Sequence, residues 1–276
     1  MRAQQANANR RMRWLRHGVS AGICAALSAC TSAPPPLRLG TTTTVEQSGA
    51  LAALAEGWAG AKLSTVIAPS GQILRSAASG DLDVVITHAP ALERKFLAGH
   101  VALRCALVAS RFGIVGPAAD PAGVARASSA ADAFRRIATG RHRFVSRGDS
   151  SGTHIKELAL WTAAGVAPQH QPWYIESGTD QAATLHLADE RDAYALADLP
   201  TLARLPGLTL HTLFTGDSAL TNPYTLYVIR APAPHPAARA FAEWAMGAGR
   251  EKILTRILTG GRPAFVSRDD RCTSPG

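Results

Sequence analysis

The stretch FVSRGDSSGTH, residues 144–154, decides how the fold is interpreted. Phe144 and Val145 are typical of the end of a short strand. Residues 146–149 are typical of a tight turn, and Ser150 or Ser151 is typical of a helix cap. A helix start has unpaired backbone N–H groups and the positive end of the helix dipole, so it favours an anion. The stretch therefore predicts a strand-to-helix turn that can bind an oxyanion.

This turn is rich in hydrogen-bond donors. Ser150, Ser151 and Thr153 carry hydroxyls, and Gly152 lets a ligand approach the backbone closely. Arg147 supplies a guanidinium, which can hold two oxygens at once. The alternative interpretation is structural: Ser151 only caps a helix, and Arg147 is a solvated surface charge. The density of donors favours the anion site.

The letters GDSSG, residues 148–152, also resemble the nucleophile motif of chymotrypsin-like serine proteases. That fold is all-β, and its histidine and aspartate precede the serine on strands. Here helical periodicity follows Thr153, and strand and helix patterns alternate on both sides. A hydrolase that uses Ser150 or Ser151 with His154 is therefore kept only as an alternative.

Two more strand-to-helix turns carry hydroxyl donors. Residues 37–40 have a strand pattern and are followed by four threonines, residues 41–44, which are more than a helix cap requires. Residues 63–68 have a second strand pattern, after which Ser70 and the backbone N–H of Gly71 begin another helix. The alternation of strands and helices predicts an α/β fold.

Two long extended stretches divide the chain into halves. Residues 112–117 and 222–229 each have the pattern of a strand that passes from one half to the other. Ligands of open α/β sheets bind at the carboxyl ends of the strands, so the hydroxyl-rich turns are expected to meet between two lobes. The predicted boundaries are residues 37–112 with 224–276 for lobe 1, and residues 113–223 for lobe 2.

The first residues have the layout of a secretion signal. Five arginines precede an apolar run, residues 18–29, which ends in Leu-Ser-Ala-Cys at Cys30. About a dozen apolar residues are too few to span a bilayer. Residues 1–29 are therefore predicted to be a signal peptide, with Met12 as an alternative start, and residues 30–36 a proline-rich tether. The ending resembles a bacterial lipobox, which implies that Cys30 is lipidated and anchors the protein to a membrane.

The net charge of +9 comes largely from the same segment. Removal of residues 1–29 takes away five arginines and no acidic residue, which leaves 24 basic and 20 acidic residues and a net charge of +4. Nucleic-acid binding needs clustered basic residues with interleaved aromatic residues, so no nucleic-acid partner is predicted. The remaining positive charge helps to steer anions.

Cysteines and histidines have no metal-binding pattern. The nine histidines are scattered, and no Cys/His cluster has the spacing of metal ligands, so neither a metal nor another cofactor is predicted. An oxidising compartment would allow Cys105 and Cys272 to pair, and a buried free thiol at Cys105 is an equally open alternative. Residues 269–276 are expected to be a disordered tail.

Together these motifs resemble the tungstate-binding component of bacterial ABC uptake systems, a type II periplasmic binding protein family. The resemblance covers most of the chain after the signal peptide and is carried by residues 41–44, 47–49, 70–72, 83–85, 88–90, 114–117, 145–161, 173–174 and 222–224. It implies the two-lobed type II fold, in which each lobe is a mixed, mainly parallel sheet flanked by helices, and two strands cross between the lobes.

The family's ligand contacts are carried over to the matching positions. The implied oxyanion-binding residues are Thr43, Thr44, Ser70, Gly71, Arg147, Ser151, Gly152 and Thr153. After the strand that contains Tyr194, the family has Thr-Asp-Arg-Gly-Thr, whereas residues 197–201 of this chain are Ala-Asp-Leu-Pro-Thr. No contact from that loop is carried over.

The resemblance implies capture without catalysis. It implies a periplasmic, monomeric protein, not an enzyme, that binds tungstate between its lobes and delivers it to an ABC permease and its ATPase. Molybdate, sulfate and phosphate are alternative ligands of the same fold. Molybdate has almost the size and charge of tungstate, and phosphate would use an acceptor for its proton, which Asp149 is placed to supply. A lipid-anchored anion sensor is a further alternative.

Overall fold

The structure is a computed structural model that describes residues 35–268 and 271–274. The predicted signal peptide at residues 1–29, Cys30 and residues 31–34 of the predicted tether lie outside the described residues. None of the helices within the described ranges has the length and apolar character that crossing a membrane requires.

Strands and helices alternate through most of the chain, which confirms the predicted α/β class. The described strands are β1 (Leu37–Thr41), β2 (Leu63–Ile67), β3 (Val84–Thr87), β4 (Val101–Gly116), β5 (Phe144–Ser146), β6 (Tyr174–Glu176), β7 (Tyr194–Asp198), β8 (His211–Phe214), β9 (Thr221–Ile229), β10 (Leu258–Thr259), β11 (Arg262–Pro263), β12 (Val266–Ser267) and β13 (Cys272–Thr273). The described α-helices are α1 (Thr43–Gln47), α2 (Ala50–Ala55), α3 (Ser70–Ala78), α4 (Pro90–Phe96), α5 (Ala130–Thr139), α6 (Gly152–Ala164), α7 (Gln181–Glu190), α8 (Leu199–Leu202), α9 (Ala237–Trp244) and α10 (Arg250–Arg256).

The first sheet combines strands from both ends of the chain. β2, β1 and β3 are parallel neighbours, and β9 extends the sheet antiparallel to β3. β4 pairs antiparallel with β9 from Val101 to Arg111, and the C-terminal strands β12 and β13 also pair with β4. This sheet and the helices packed on it form lobe 1.

The second sheet is built around β5. β5 lies between β6 and β7 and is parallel to both. β7 pairs antiparallel with β4 from Phe112 onward, and β8 also pairs with this part of β4. This sheet and its helices form lobe 2. β4 therefore changes sheet between Arg111 and Phe112, and β9 begins beside that point, where Thr221 is opposite Arg111.

Helices cover both faces of each sheet. In lobe 1, α2, α9 and α10 bury Leu54, Phe241 and Ile253 against one face, and α3 packs on the other. In lobe 2, α5 and α6 bury Phe134 and Trp161 on one face, and α7 packs on the opposite face. Because both faces are covered, the turns at the carboxyl ends of the parallel strands are the parts of each lobe left to contact a ligand.

The C-terminal segment is attached to lobe 1. Cys272 in β13 lies opposite Cys105 in β4, with the Cα atoms 4.2 Å apart, and a disulfide joins them. The alternative of a free thiol at Cys105 is therefore wrong. The expected disordered tail is also wrong for residues 271–274, because strand pairing and the disulfide hold this segment on the sheet.

Candidate functional site

The three hydroxyl-rich turns meet where the two lobes touch. Arg147 of lobe 2 donates from Nη1 to the Oγ1 of Thr44 at 3.1 Å and from Nη2 to the Oγ1 of Thr43 at 3.3 Å. The backbone N–H of Gly152 donates to the Oγ of Ser70 at 3.1 Å. Residues that are far apart in the sequence therefore lie within hydrogen-bond distance of one another.

Arg147 is enclosed by polar partners. Its side chain is 1% exposed, and its Nε donates to the backbone carbonyl of Thr179 at 3.2 Å. Nη2 also forms an ion pair with the carboxylate of Asp149. Burial lowers the pKa of Arg147, and the charge of Asp149 opposes that shift, so the guanidinium remains charged. The interpretation of Arg147 as a solvated surface charge is wrong.

Asp149 closes the loop around this guanidinium. Besides its contact with Arg147, its Oδ1 accepts a hydrogen bond from the backbone N–H of Ser151 at 3.0 Å. The sequence predicts Asp149 only as an acceptor for a phosphate proton. The structure instead engages both of its carboxylate oxygens within the turn.

The four threonines that run from the end of β1 into α1 divide into two pairs. Thr41 donates to the carbonyl of Ile86 at 3.1 Å, and Thr42 caps α1 by accepting from the N–H of Val45 at 3.3 Å. These two hydroxyls serve the fold, whereas those of Thr43 and Thr44 face Arg147. Helix capping therefore explains only one of the four threonines.

The start of α6 leaves donors available. Ser151 is the N-cap, and its Oγ accepts from the N–H of His154 at 3.2 Å, as the structural interpretation predicts. Thr153 is 1% exposed, and its Oγ1 has no hydrogen-bond partner within the described ranges. A buried hydroxyl without a partner is costly. Thr153 is therefore in a position to donate to a ligand.

The start of α3 also lies next to the loop that contains Arg147. No side chain among the described residues caps this helix, and the N–H of Gln72 bonds to the carbonyl of Pro69. A Cβ on Gly71 would lie 3.9 Å from the backbone oxygen of Ser150 in lobe 2. The beginning of α3, with Ser70 and Gly71, thus faces the Arg147 turn, which is residues 147–151 between β5 and α6.

His88, which the sequence places near the site at the carboxyl end of a strand but not among the ligand-binding residues, packs directly against Gly152. A Cβ on Gly152 would lie 2.6 Å from the Cε1 of His88, so only glycine allows this approach. The Nδ1 of His88 faces the Oδ1 of Asn222 at 3.1 Å, and the Nδ2 of Asn222 donates to Asp198 at 3.0 Å. This orientation places the imidazole proton on Nδ1. Burial lowers the pKa of His88 to about 3, so the ring is neutral.

Glu157 is a second residue whose position the sequence does not reveal. It lies in α6 and is 1% exposed, and burial raises its pKa to about 7. It follows Thr153 by four residues and precedes Trp161 by four, so it occupies the buried face of the helix. An acidic residue on an apolar helix face is the signal that could have identified it.

The buried carboxyl of Glu157 makes stability depend on pH. Its pKa rises from 4.5 to about 7 on folding, so the folded protein binds this proton more tightly than the unfolded chain between these values. The resulting stability is present below pH 4.5 and is lost, by about 3 kcal/mol, as the pH rises through 7.

Urea unfolding of the wild type and of Glu157→Gln measures this effect. The free energy of unfolding of the wild type, relative to the variant, is expected to fall by about 2 to 3 kcal/mol between about pH 5 and about pH 8. The two proteins are compared because burial lowers the pKa of His88 in both. His88 therefore makes the free energy of unfolding rise with pH in both proteins, and this contribution cancels in the difference. An equal difference at both pH values would contradict the prediction.

Sequence comparisons agree with this architecture. Residues 29–248 match the PBP superfamily domain. The chain belongs to the PBP superfamily. Its two lobes, joined by two crossing strands, are the type II fold of that superfamily, which confirms the predicted fold.

This PBP superfamily member has relatives in transport systems. It is 37% identical to a putative ABC transporter anion-binding protein of Haloferax volcanii, over 83% of this chain and 71% of the relative. It is 32% identical to the tungstate-binding protein TupA of Peptoclostridium acidaminophilum, over 81% of this chain and 82% of the relative. The crystal structure of the tungstate ABC transporter from Geobacter sulfurreducens matches with a TM-score of 0.70 and 38% identity, over 79% of this chain and 97% of that one. The predicted family, that of the ABC transporter tungstate-binding proteins, is thereby confirmed.

Proposed function

We propose that this protein captures tungstate between its lobes, outside the cytoplasm, and delivers it to an ABC permease with its ATPase. One observation carries the proposal: the buried guanidinium of Arg147 in lobe 2 is held against the hydroxyls of Thr43 and Thr44 in lobe 1. A buried positive charge that joins the two lobes is suited to an anion that both lobes enclose. The relatives named for tungstate binding add the identity of the anion.

The proposed ligand-binding residues are those that the sequence predicts: Thr43, Thr44, Ser70, Gly71, Arg147, Ser151, Gly152 and Thr153. A threonine oxygen that accepts from Arg147 still has its own hydrogen, which can be donated to an oxyanion oxygen. The guanidinium polarises these hydroxyls and so strengthens them as donors. The first turn of α6, which is 13 residues long, adds N–H groups and the positive end of its dipole.

Catalysis is not part of the proposal. The Nδ1 of His154 accepts from the backbone N–H of Ser150 at 3.1 Å, and the Oγ of Ser151 accepts from the backbone N–H of His154. A serine nucleophile needs its hydroxyl bonded to the base. These contacts favour a binding protein over the serine hydrolase alternative.

Asp149 bears on the choice between anions. Both of its oxygens accept hydrogen bonds within the turn, from Arg147 and from Ser151. Asp149 is therefore already engaged within the turn, which makes it a weaker acceptor for a protonated anion such as hydrogen phosphate. This arrangement favours a fully deprotonated tetrahedral dianion, which is the form of tungstate, molybdate and sulfate at neutral pH.

The proposal extends to the organisation of the chain. We place the lobe boundaries at residues 37–112 with 224–276, and at residues 113–223, because β4 changes sheet next to residue 112. The signal peptide, the lipid anchor at Cys30, the periplasmic location and the monomeric state are proposed as the sequence predicts them. Neither a cofactor nor a nucleic-acid partner is proposed.

Calorimetric titration of the purified, dialysed protein tests the ligand. Tungstate is expected to bind at one site per chain, and sulfate and phosphate at least roughly a hundredfold more weakly, a difference of about 2.7 kcal/mol. Molybdate, titrated in competition with tungstate, determines which of the two is preferred. Tightest binding of phosphate, or no heat with any of the four anions, would refute the proposal.

A further inference from the structure

The side chain of Glu157 forms hydrogen bonds on two sides, toward the Arg147 turn and toward the core of lobe 2. Its Oε2 accepts from the Oγ of Ser146 at 2.8 Å, and the backbone N–H of Arg147 also stabilises the carboxylate. Its Oε1 accepts from the Nε1 of Trp161 at 3.0 Å and from the hydroxyl of Tyr174 at 2.7 Å. One oxygen therefore faces the turn, and the other faces the core of lobe 2.

Ser146 passes this contact on to the next peptide. Because its hydroxyl donates to Glu157, its oxygen is free to accept, and it receives the N–H of Gly148 at 3.2 Å. The carboxylate of Glu157 thus holds the backbone N–H of Gly148 through the hydroxyl of Ser146, and the N–H of Arg147 favours its charged form. The backbone on either side of Arg147, at Ser146 and Gly148, is therefore tied to Glu157.

The turn needs such support because its backbone is unusual. Gly148 has φ +59°, and Ser150 has the same angle, which a residue with a side chain adopts at a cost. The guanidinium of Arg147 must also reach Thr43 and Thr44 in the other lobe. A small shift at the root of a long side chain is enlarged at its tip, so the position of this backbone decides where the charge lies.

Glu157 also belongs to α6, whose first residues, Gly152 and Thr153, are on the other side of the proposed ligand. We propose that Glu157 is a positioning residue for the oxyanion site: by tying the Arg147 turn to α6, it sets the distance between the guanidinium and the donors at the helix start. This inference rests on the proposed function only in that the oxyanion is the species bound there.

Glu157→Gln separates the two sides of the carboxylate. The indole N–H of Trp161 can only donate, so the amide oxygen remains on that side, and the amide NH₂ faces Ser146 and the N–H of Arg147. The contact with the core survives, whereas the backbone N–H of Arg147 now faces a donor, and the Ser146 hydroxyl must turn its hydrogen away to accept from the amide. Tyr174→Phe is the matched control, because it removes a donor from the same carboxylate on the core side.

Calorimetry with tungstate at about pH 8, above the pKa of about 7 that burial gives Glu157, measures the consequence for binding. Glu157→Gln is expected to weaken tungstate binding roughly ten- to a hundredfold, the range seen when residues that orient ligand-binding groups are replaced, while Tyr174→Phe stays within about twofold of the wild type. An equal loss in both variants, or no loss in Glu157→Gln, would overturn the proposal. Ser146→Ala, which removes the bridging hydroxyl, is expected to weaken binding in the same direction and serves if Glu157→Gln does not fold.

A second readout needs no ligand and so distinguishes this proposal from the proposed function. The Nε–H of Arg147, held by the carbonyl of Thr179, should give a resolved ¹⁵N signal in the wild type and in Tyr174→Phe. In Glu157→Gln the signal is expected to shift or broaden. If wild type binds no tungstate but the Arg147 signal changes only in Glu157→Gln, the proposed function alone is refuted. An unchanged signal in Glu157→Gln refutes the positioning role.

Discussion

Arg147→Ala is expected to lower the affinity for tungstate by roughly 10²- to 10⁴-fold. Removal of one partner of a buried charge pair costs about 3 to 5 kcal/mol, and about 1.4 kcal/mol corresponds to a factor of ten. Arg147 is almost completely buried, and it joins Thr43 and Thr44 to the other lobe. The variant therefore loses the positive charge of the site and the polarisation of two hydroxyl donors together.

The controls for this prediction use neighbouring residues. Arg143→Ala removes an exposed arginine at the opposite end of β5, whose described hydrogen bond is to the carbonyl of Arg191, and it should bind tungstate like the wild type. Arg147→Ala also leaves Asp149 without its cation, so Arg147→Ala/Asp149→Asn shows how much of the loss is repulsion by that carboxylate. Calorimetry that finds wild-type affinity in both Arg147 variants would remove Arg147 from the site.

Cys272→Ser is expected to destabilise the protein by about 4 kcal/mol. The disulfide between Cys105 and Cys272 joins residues 167 positions apart. A cross-link restricts the unfolded chain more strongly as the loop lengthens, and a loop of this size lies near the upper end of the usual range. Cys105 is completely buried among apolar residues, so its thiol remains well packed when its partner is replaced.

Urea unfolding of Cys272→Ser, beside wild type with and without a reductant, measures this effect. Reduced wild type and the variant should have the same lowered free energy of unfolding. Tungstate affinity at 25 °C should be unchanged in both, because the disulfide belongs to the β4–β13 pair of lobe 1, whereas Arg147 follows β5 in lobe 2. A variant as stable as oxidised wild type would show that strand pairing alone holds the C-terminal segment.

The point where the strands cross also contains a buried carboxylate. Asp198 accepts from the Oγ of Ser110 in β4 at 2.7 Å and from the Nδ2 of Asn222 in β9 at 3.0 Å. Thr201 donates to it as well, from its hydroxyl at 2.8 Å. Burial raises the pKa of Asp198, and these donors oppose the shift. Asp198 of lobe 2 thus forms hydrogen bonds with both crossing strands. It belongs to residues 197–201, where this chain departs from the family sequence.

The sequence alone predicted the parts of the proposed site that depend on local chemistry. A helix start needs a cap and leaves N–H groups unpaired wherever it occurs, so Ser151, Gly152 and Thr153 could be recognised from their own neighbours. The same holds for the threonine run that begins at the end of β1 and for the α/β alternation, since periodicity and capping act within a few residues. For these features the predicted elements and the described ones agree closely.

Only the tertiary structure decided which polar groups face one another. Arg147 and Asp149 are two residues apart, yet their pairing depends on the backbone of the turn, and Glu157 reaches that turn only because α6 folds back over β5. The disulfide likewise requires β13 to lie beside β4. Burial and charge pairing arise from contacts between distant segments, whose energies depend on distance and solvent exclusion. No pattern within a single segment contains that information.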